Sequence, residues 1–294
     1  MVTGASGLLG RAIVVALAGK DEVRATVRRP RASDELRALG AKVAVRPVAE
    51  PDDLIDILPR VHTLVHLVGG VNQPDDGTIL RANHGSTLAA VAAAKEAGVR
   101  RFVLLSAPGA DPGSRHPFLR AKGLAEEAVA QSGLEHAILR SANAYGLGGL
   151  WFTATVVAAE AGFVVGPGGR RLAPVLAEDV AAVVAAIDDR RDRIAGTWQV
   201  HGPDTVTADQ LFELLDGEGE PAHLGPVDAA SRLSELLERP ISVATAVSFA
   251  AEPATSELPG AADAFGVART PLVEGLRRTA DLAADSAARV GRDA

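Results

Sequence analysis

A doubly wound α/β fold, with a parallel sheet covered by helices on both faces and a smaller C-terminal lobe, is predicted by three features of the sequence. Segments of strand character and helix character alternate through the first half of the chain. The best strand candidate, RRFVLLSA (100–107), is a continuous apolar run of the kind buried on both faces of a parallel sheet. A glycine-spaced stretch, VTGASGLLGR, sits between a strand and a helix at the start of the chain.

Each element has its own signal. Val2 begins a very short strand, and GLLGRAIVVALAGK (7–20) carries apolar residues at helical spacing. EVRATVR (22–28) reads as a strand, and the Asp34–Leu39 stretch reads as a helix. AKVAVRPV (41–48) is predicted to be a strand, PDDLIDIL (51–58) a helix and VHTLVHLVGG (61–70) an alternating strand. Ala-rich apolar positions recur helically from Thr78, and Gly98 supplies a stop. A helix over Pro117–Ser132 and the strand HAILRS (136–141) complete the rhythm.

Beyond residue 141 the alternation breaks into a glycine-rich stretch (142–174) around a helix near Trp151–Ala161. A helix (177–189) and a strand, TWQVHG (197–202), follow, and the rest is predicted as helix with Pro/Gly loops. The division expected is a nucleotide-binding domain over 1–145 and a lobe over 146–294, with 170–202 returning to the first domain. The last dozen residues are expected to fray.

With 294 residues, 47% hydrophobic and 23% charged, the chain is globular rather than disordered. Aromatics make up only 3%, so the core is built from Ala, Val and Leu. A net charge of -7 argues against nucleic acid as a partner. The absence of Cys removes disulfides, thiolate nucleophiles and Cys-based metal sites. His62 and His66 are four apart but lie in a strand-like run, so no metal site is expected. No apolar run approaches the ~18 residues of a membrane helix, and a cytoplasmic location is expected.

Gly4, Gly7 and Gly10 follow the pattern G-x-x-G-x-x-G. Gly4 permits a tight turn, Gly7 lets backbone N–H groups approach a pyrophosphate at a helix N-terminus, and Gly10 lets that helix pack close to the sheet. Arg28 and Arg29 follow the second strand, where an acidic residue would hold a ribose 2′-hydroxyl. Arginine suits a 2′-phosphate instead, so NADP(H) is expected rather than NAD.

These segments together resemble the short-chain dehydrogenase/reductase superfamily in its extended and atypical, NmrA-like branches. The resemblance runs through TGASGLLG, ANHGSTLAAVAAAKEAGVRRFVLLSA, FLRAKGLAEEAVAQSGLEHAILRSANAYG, LAPVLAEDVAAVV and GTWQVHGPDTVT. It implies a Rossmann domain binding NAD(P), with a small-molecule substrate held by the C-terminal lobe. By position it assigns Thr3, Gly4, Ser6, Gly7, Leu8, Leu9 and Gly10 to the phosphate loop. Val68, Gly69 and Gly70 match the turn bordering the adenosine, and Asn83 the helix residue that props the site. Ser141, Ala142 and Asn143 match the loop beside the nicotinamide amide. Lys122 matches the Lys that holds the nicotinamide ribose, and Ser106 the end of the strand supplying the catalytic hydroxyl.

The chain departs from that pattern at three points. The second hydroxyl expected two residues after Ser106 is Pro108, and the acidic residue expected after the third strand is absent. Above all, the position of the catalytic Tyr, four residues before Lys122, is Phe118, and a phenyl ring cannot donate a proton. Ser106, His116, Asn143 or Tyr145 is left to place a water or polarise a carbonyl. Phe118, Tyr145, Trp151 and Phe152 are expected to meet the substrate.

The resulting expectation is an NADPH-dependent reductase of a ketone in an aromatic polyketide or quinone-type metabolite, with the proton drawn from substrate or water. The alternative is a non-catalytic NADP(H)-binding sensor or assembly protein. Neither involves metal, nucleic acid or membrane, and either suits a monomer or small homo-oligomer.

Overall fold

The computed structural model describes residues 1–250 and 257–290. The chain divides into two compact units, one of Met1–Ser141, Val180–Val200 and the stretch ending at Ala268. The other holds Ala142–Asp179, the stretch beginning at His201 and the stretch beginning at Arg269.

The first unit is built on seven parallel strands: β1 (Val2–Thr3), β2 (Arg24–Val27), β3 (Lys42–Val45), β4 (Thr63–His66), β5 (Arg101–Ser106), β6 (Glu135–Ser141) and β7 (Ala195–Val200). Their order across the sheet is β7-β6-β5-β4-β1-β2-β3, the doubly wound arrangement predicted. Strand β1 has two residues yet pairs on both sides, Val2 with Ala25 and Val65, and Thr3 with Thr26 and His66. The order in which strands are added reverses between β1 and β4, and the loops after these two parallel strands emerge side by side at the C-terminal edge.

The connecting helices include α1 (Leu8–Ala18), α2 (Ser33–Ala38), α3 (Asp52–Ile55), α4 (Asp76–Leu80), α5 (Ser86–Glu96) and α6 (Pro117–Ala130). Leu54, Ala90, Ala94, Phe102, Ala125, Val129 and Ile138 bury into one cluster, which fastens α3, α5 and α6 to β5 and β6. The single helix predicted from Thr78 to Gly98 is three pieces. It starts earlier, where the Asp75 carboxylate accepts from the Thr78 N–H at 2.8 Å, and a π-helical turn (Arg81–Gly85) divides it. Gly98, at φ +69°, lies beyond the cap residue Ala97, where the Val99 N–H returns to the Ala94 carbonyl at 2.9 Å.

The second unit has its own core, gathered around Tyr145, Trp151, Phe163, Leu211, Leu233 and Phe249. Its helices include α7 (Leu150–Glu160) and the long Leu272–Val290 helix. The region predicted as helix with loops also contains short strands at Val206–Thr207 and Ala222–Leu224. Of the residues expected to fray, 291–294 lie outside the described residues.

Tyr145 is fully buried, and its hydroxyl has no hydrogen-bond partner among the described residues. The hydroxyl lies 2.0 Å from where a Cβ on Gly275 would stand, so only glycine fits there. Burial, reinforced by Asp179 and Asp204, pushes the phenol well above its ordinary range. Tyr145→Phe is therefore expected to raise the thermal stability of this unit, by about 1 kcal/mol, because it deletes an unmet buried hydroxyl. A melting curve checks this, and a lower midpoint would show that the hydroxyl is satisfied in solution.

Candidate functional site

The loop after β1 is shaped by close approach. A Cβ on Gly10 would lie 2.5 Å from the Ala5 Cα, so glycine alone lets α1 start this near its own loop. Gly4 adopts φ +70°, and the Gly7 N–H returns to its carbonyl at 3.3 Å. Gly7 is the N-cap of α1 and offers no side-chain oxygen, so the opening N–H groups of the helix, from Leu8, Leu9 and Gly10, are left for an external acceptor. Ser6 is exposed beside them, with its carbonyl held by the Arg11 guanidinium at 2.9 Å. Arg28 and Arg29 follow β2, and both are exposed.

The loop after β4 is built around one side chain. Asn83 is fully buried in the π-helical turn. Its Oδ1 accepts from the Gly70 N–H at 3.0 Å, and its Nδ2 donates to the carbonyls of Gly70 at 3.1 Å and Ile79 at 2.8 Å. A Cβ on Gly69, at φ +137°, would stand 2.3 Å from Oδ1. Gly70 is thus pinned by both of its backbone groups, and Gly69 lies close against the same amide. Both loops are cradles that a single Cβ would fill, which suits a dinucleotide pressed against backbone.

The C-terminal end of β5 and helix α6 hold the titratable cluster. Phe118, Lys122 and Glu126 recur at four-residue spacing along α6 and share a face. Lys122 is 7% exposed, and its Nζ donates to the Leu105 carbonyl at 2.9 Å and stands 5.8 Å from the Phe118 ring centroid. Burial lowers its pKa to about 8, against the opposing pull of Glu126. Ser106 donates to Glu126 Oε1 at 2.5 Å. The same carboxylate is gripped by Arg140 of β6, at 2.9 Å from Nε and 2.7 Å from Nη2. Arg140 also reaches the Ala110 carbonyl at 2.9 Å. The hydroxyl expected to face a substrate therefore serves a salt bridge. His116 is the N-cap residue of α6, and its ring sits edge-on to Phe118, centroids 6.4 Å apart.

Sequence reasoning missed Glu126 and Arg140. The spacing that singled out Lys122 extends one turn further to Glu126, and Arg140 is a charge inside an otherwise apolar strand, which demands a buried partner. Ser141 closes β6. Ala142, Asn143, Tyr145, Trp151 and Phe152 belong to the second unit. There the Asn143 carbonyl accepts from the Val175 N–H at 3.1 Å, and Trp151 and Phe152 pack into the core around Tyr145. Among the described residues no three His, Asp or Glu side chains gather as a metal site. No helix is long and apolar enough to cross a membrane.

Residues 4–191 match the NAD(P)H-binding family, and the chain belongs to it. It is 30% identical over 228 residues to the Arabidopsis thaliana mitochondrial protein NADH dehydrogenase [ubiquinone] 1 alpha subcomplex subunit 9, covering 73% of this chain and 56% of that one. The chain spans about half the length of this and similar curated relatives. It is 29% identical over 257 residues, 86% of each chain, to the Streptomyces griseus (4-alkanoyl-5-oxo-2,5-dihydrofuran-3-yl)methyl phosphate reductase. Among solved structures it shares its fold with the NADPH complex of the Escherichia coli quinone oxidoreductase QOR2. The TM-score is 0.74 at 22% identity, over 94% of this chain and 98% of that one.

Proposed function

We propose that the protein is an NADPH-dependent reductase that delivers hydride to an electron-poor, quinone-type acceptor without a proton from a protein hydroxyl. The observation carrying this reading is the fate of the two hydroxyl positions: Phe118 has no proton to give, and Ser106 spends its own on Glu126. NADPH, when bound, supplies the hydride. The chain's part is to seat the pyrophosphate on the Gly4–Gly10 loop, hold the adenosine side with the Asn83-braced turn, and place the Lys122 ammonium at the reacting end. A quinone, or a ring alkene with two carbonyls on one of its carbons as in the substrate named for the Streptomyces griseus relative, delocalises the charge that hydride brings. Such an acceptor takes its proton afterwards from water or from its own hydroxyl. A ketone of an aromatic polyketide with a neighbouring phenol is one member of this class. The same reading places the protein in the cytoplasm as a monomer or small homo-oligomer.

Phe118→Tyr tests the proton assignment. Turnover of a quinone should change by less than about threefold, whereas restoring a needed general acid would raise it by roughly 100-fold or more. Arg28 is assigned to the 2′-phosphate. Arg28→Ala is expected to weaken NADPH binding at least about tenfold in a fluorescence titration while leaving NADH binding nearly unchanged. Equal losses for the two would overturn NADPH selectivity. The same missing hydroxyls also support a second reading, a non-catalytic NADP(H)-binding protein, which predicts cofactor binding and no turnover.

A further inference from the structure

We propose that His66 is a positioning residue that locks the two cofactor-bordering loops of the first unit into one element. The proposal rests on the NAD(P)H site alone and is independent of the acceptor. His66 ends β4, is fully buried, and touches both sides of the site. Its Nδ1 is 2.9 Å from the hydroxyl of Thr3, the residue that precedes Gly4 and the phosphate loop. Its Nε2 is 3.3 Å from the Ser86 hydroxyl, at the junction of the π-helical turn with α5.

The partners fix the tautomer. Ser86 donates its proton to the Ala82 carbonyl at 2.7 Å, so it accepts from His66 Nε2–H. Nδ1 is then the acceptor, and the Thr3 hydroxyl is its donor. The ring is neutral: burial, with Lys122 adding in the same direction, holds its pKa at about 3. A directed chain results, from Thr3 through His66 and Ser86 to the Ala82 carbonyl.

That end point explains the π-helical turn. The wider turn alters the local backbone bonding, and hydroxyls meet two of its carbonyls, Ser86 that of Ala82 and Thr87 that of Asn83 at 2.6 Å. Between them stands Asn83, which holds Gly69 and Gly70. The phosphate loop and the adenosine-side turn are therefore joined through buried side chains, besides the β1–β4 ladder. Loosening one end should loosen the other, because each buried polar group in the chain has one route to satisfaction.

Hydrogen exchange on the cofactor-free protein tests the coupling directly. Thr3→Val removes one hydroxyl and keeps the backbone bond by which the Thr3 carbonyl accepts from the Leu67 N–H at 3.2 Å, so a change at Gly70 would have to pass through the side chains. It should speed amide exchange of Gly70 and its neighbours about tenfold while leaving exchange in β5 and β6 unchanged. NADPH affinity should fall about tenfold in Thr3→Val and in His66→Leu, and no further in the double variant, since both break the same chain. His66→Gln, which can accept from Thr3 and donate to Ser86, should recover most of that affinity. Unaltered exchange at Gly70 in Thr3→Val, or additive losses in the double variant, would overturn the proposal. Loss of binding in Gln and Leu variants alike would do the same. A wild-type protein that fails to bind NADPH would instead count against the cofactor reading, and the exchange result would still stand.

Discussion

Replacing Lys122 by Met is expected to make the protein more stable and less active. The ammonium is buried against Leu105 and Phe118, and its pKa falls from the ordinary 10.5 to about 8. A cation whose folded pKa is depressed costs stability wherever it stays protonated in the fold, here below about pH 8. As pH rises from about 8 towards 10.5, the folded state has released the proton while the unfolded state still holds it, so stability rises through that window. Lys122→Met removes the cost. Allowing for the lost bond to the Leu105 carbonyl, the gain at pH 7 should be about 2 kcal/mol, shrinking to nothing near pH 10.5. Hydride transfer should meanwhile fall about 100-fold or more, because the positive charge proposed for the reacting end is gone. Denaturation at pH 7 and pH 10, paired with turnover, checks both halves. A variant that is less stable at pH 7 and keeps its turnover would remove Lys122 from the site.

The largest expected loss of stability lies elsewhere, at Arg101. This side chain opens β5 and is fully buried. Its Nη1 donates to the carbonyls of Ile187 at 2.5 Å and Asp188 at 3.2 Å, which end the helix Ala177–Asp188. Its Nη2 donates to the carbonyls of Arg190 at 3.0 Å and Asp192 at 3.1 Å and to Glu135 at 3.2 Å. One guanidinium thus closes the end of a helix and the turn leading to β7. Arg101→Met strands four carbonyls and half of the Glu135 interaction, at about 3–5 kcal/mol. Arg101→Lys should recover only a minor part, since one ammonium cannot span that fork. A denaturant series on all three proteins measures it, and a cost below about 1 kcal/mol for Met would show that these bonds do not hold the turn.

How far the sequence reveals these features depends on how local they are. The parallel sheet was legible because RRFVLLSA holds an unbroken apolar run, because strand-like and helix-like segments alternate around it, and because glycine spacing marks the loop before α1. Boundaries slipped where tertiary pairing decides them: the strand expected over 61–70 pairs only from Thr63 to His66, and Gly69 and Gly70 belong to the Asn83 turn. The π-helical turn is hidden, since an Ala-rich stretch keeps helical spacing on either side of it. In the second unit, strands of two or three residues are too short for alternation to show. At the site, the residue types were readable and their partners were not. Ser106 was identified as a hydroxyl at a strand end, but its bond to Glu126 depends on α6 folding back across β5 and on Arg140 arriving from β6.

The central claim, hydride delivery to a delocalising acceptor with no protein hydroxyl as acid, is tested most directly by initial rates of NADPH loss. The acceptors are naphthoquinones with and without a peri-hydroxyl group and a simple unconjugated ketone. The account predicts turnover with the quinones, fastest when the peri-hydroxyl is present, and none with the simple ketone. Reduction of the simple ketone at a rate matching the quinones would contradict it, because that reaction needs an acid the chain would then have to supply.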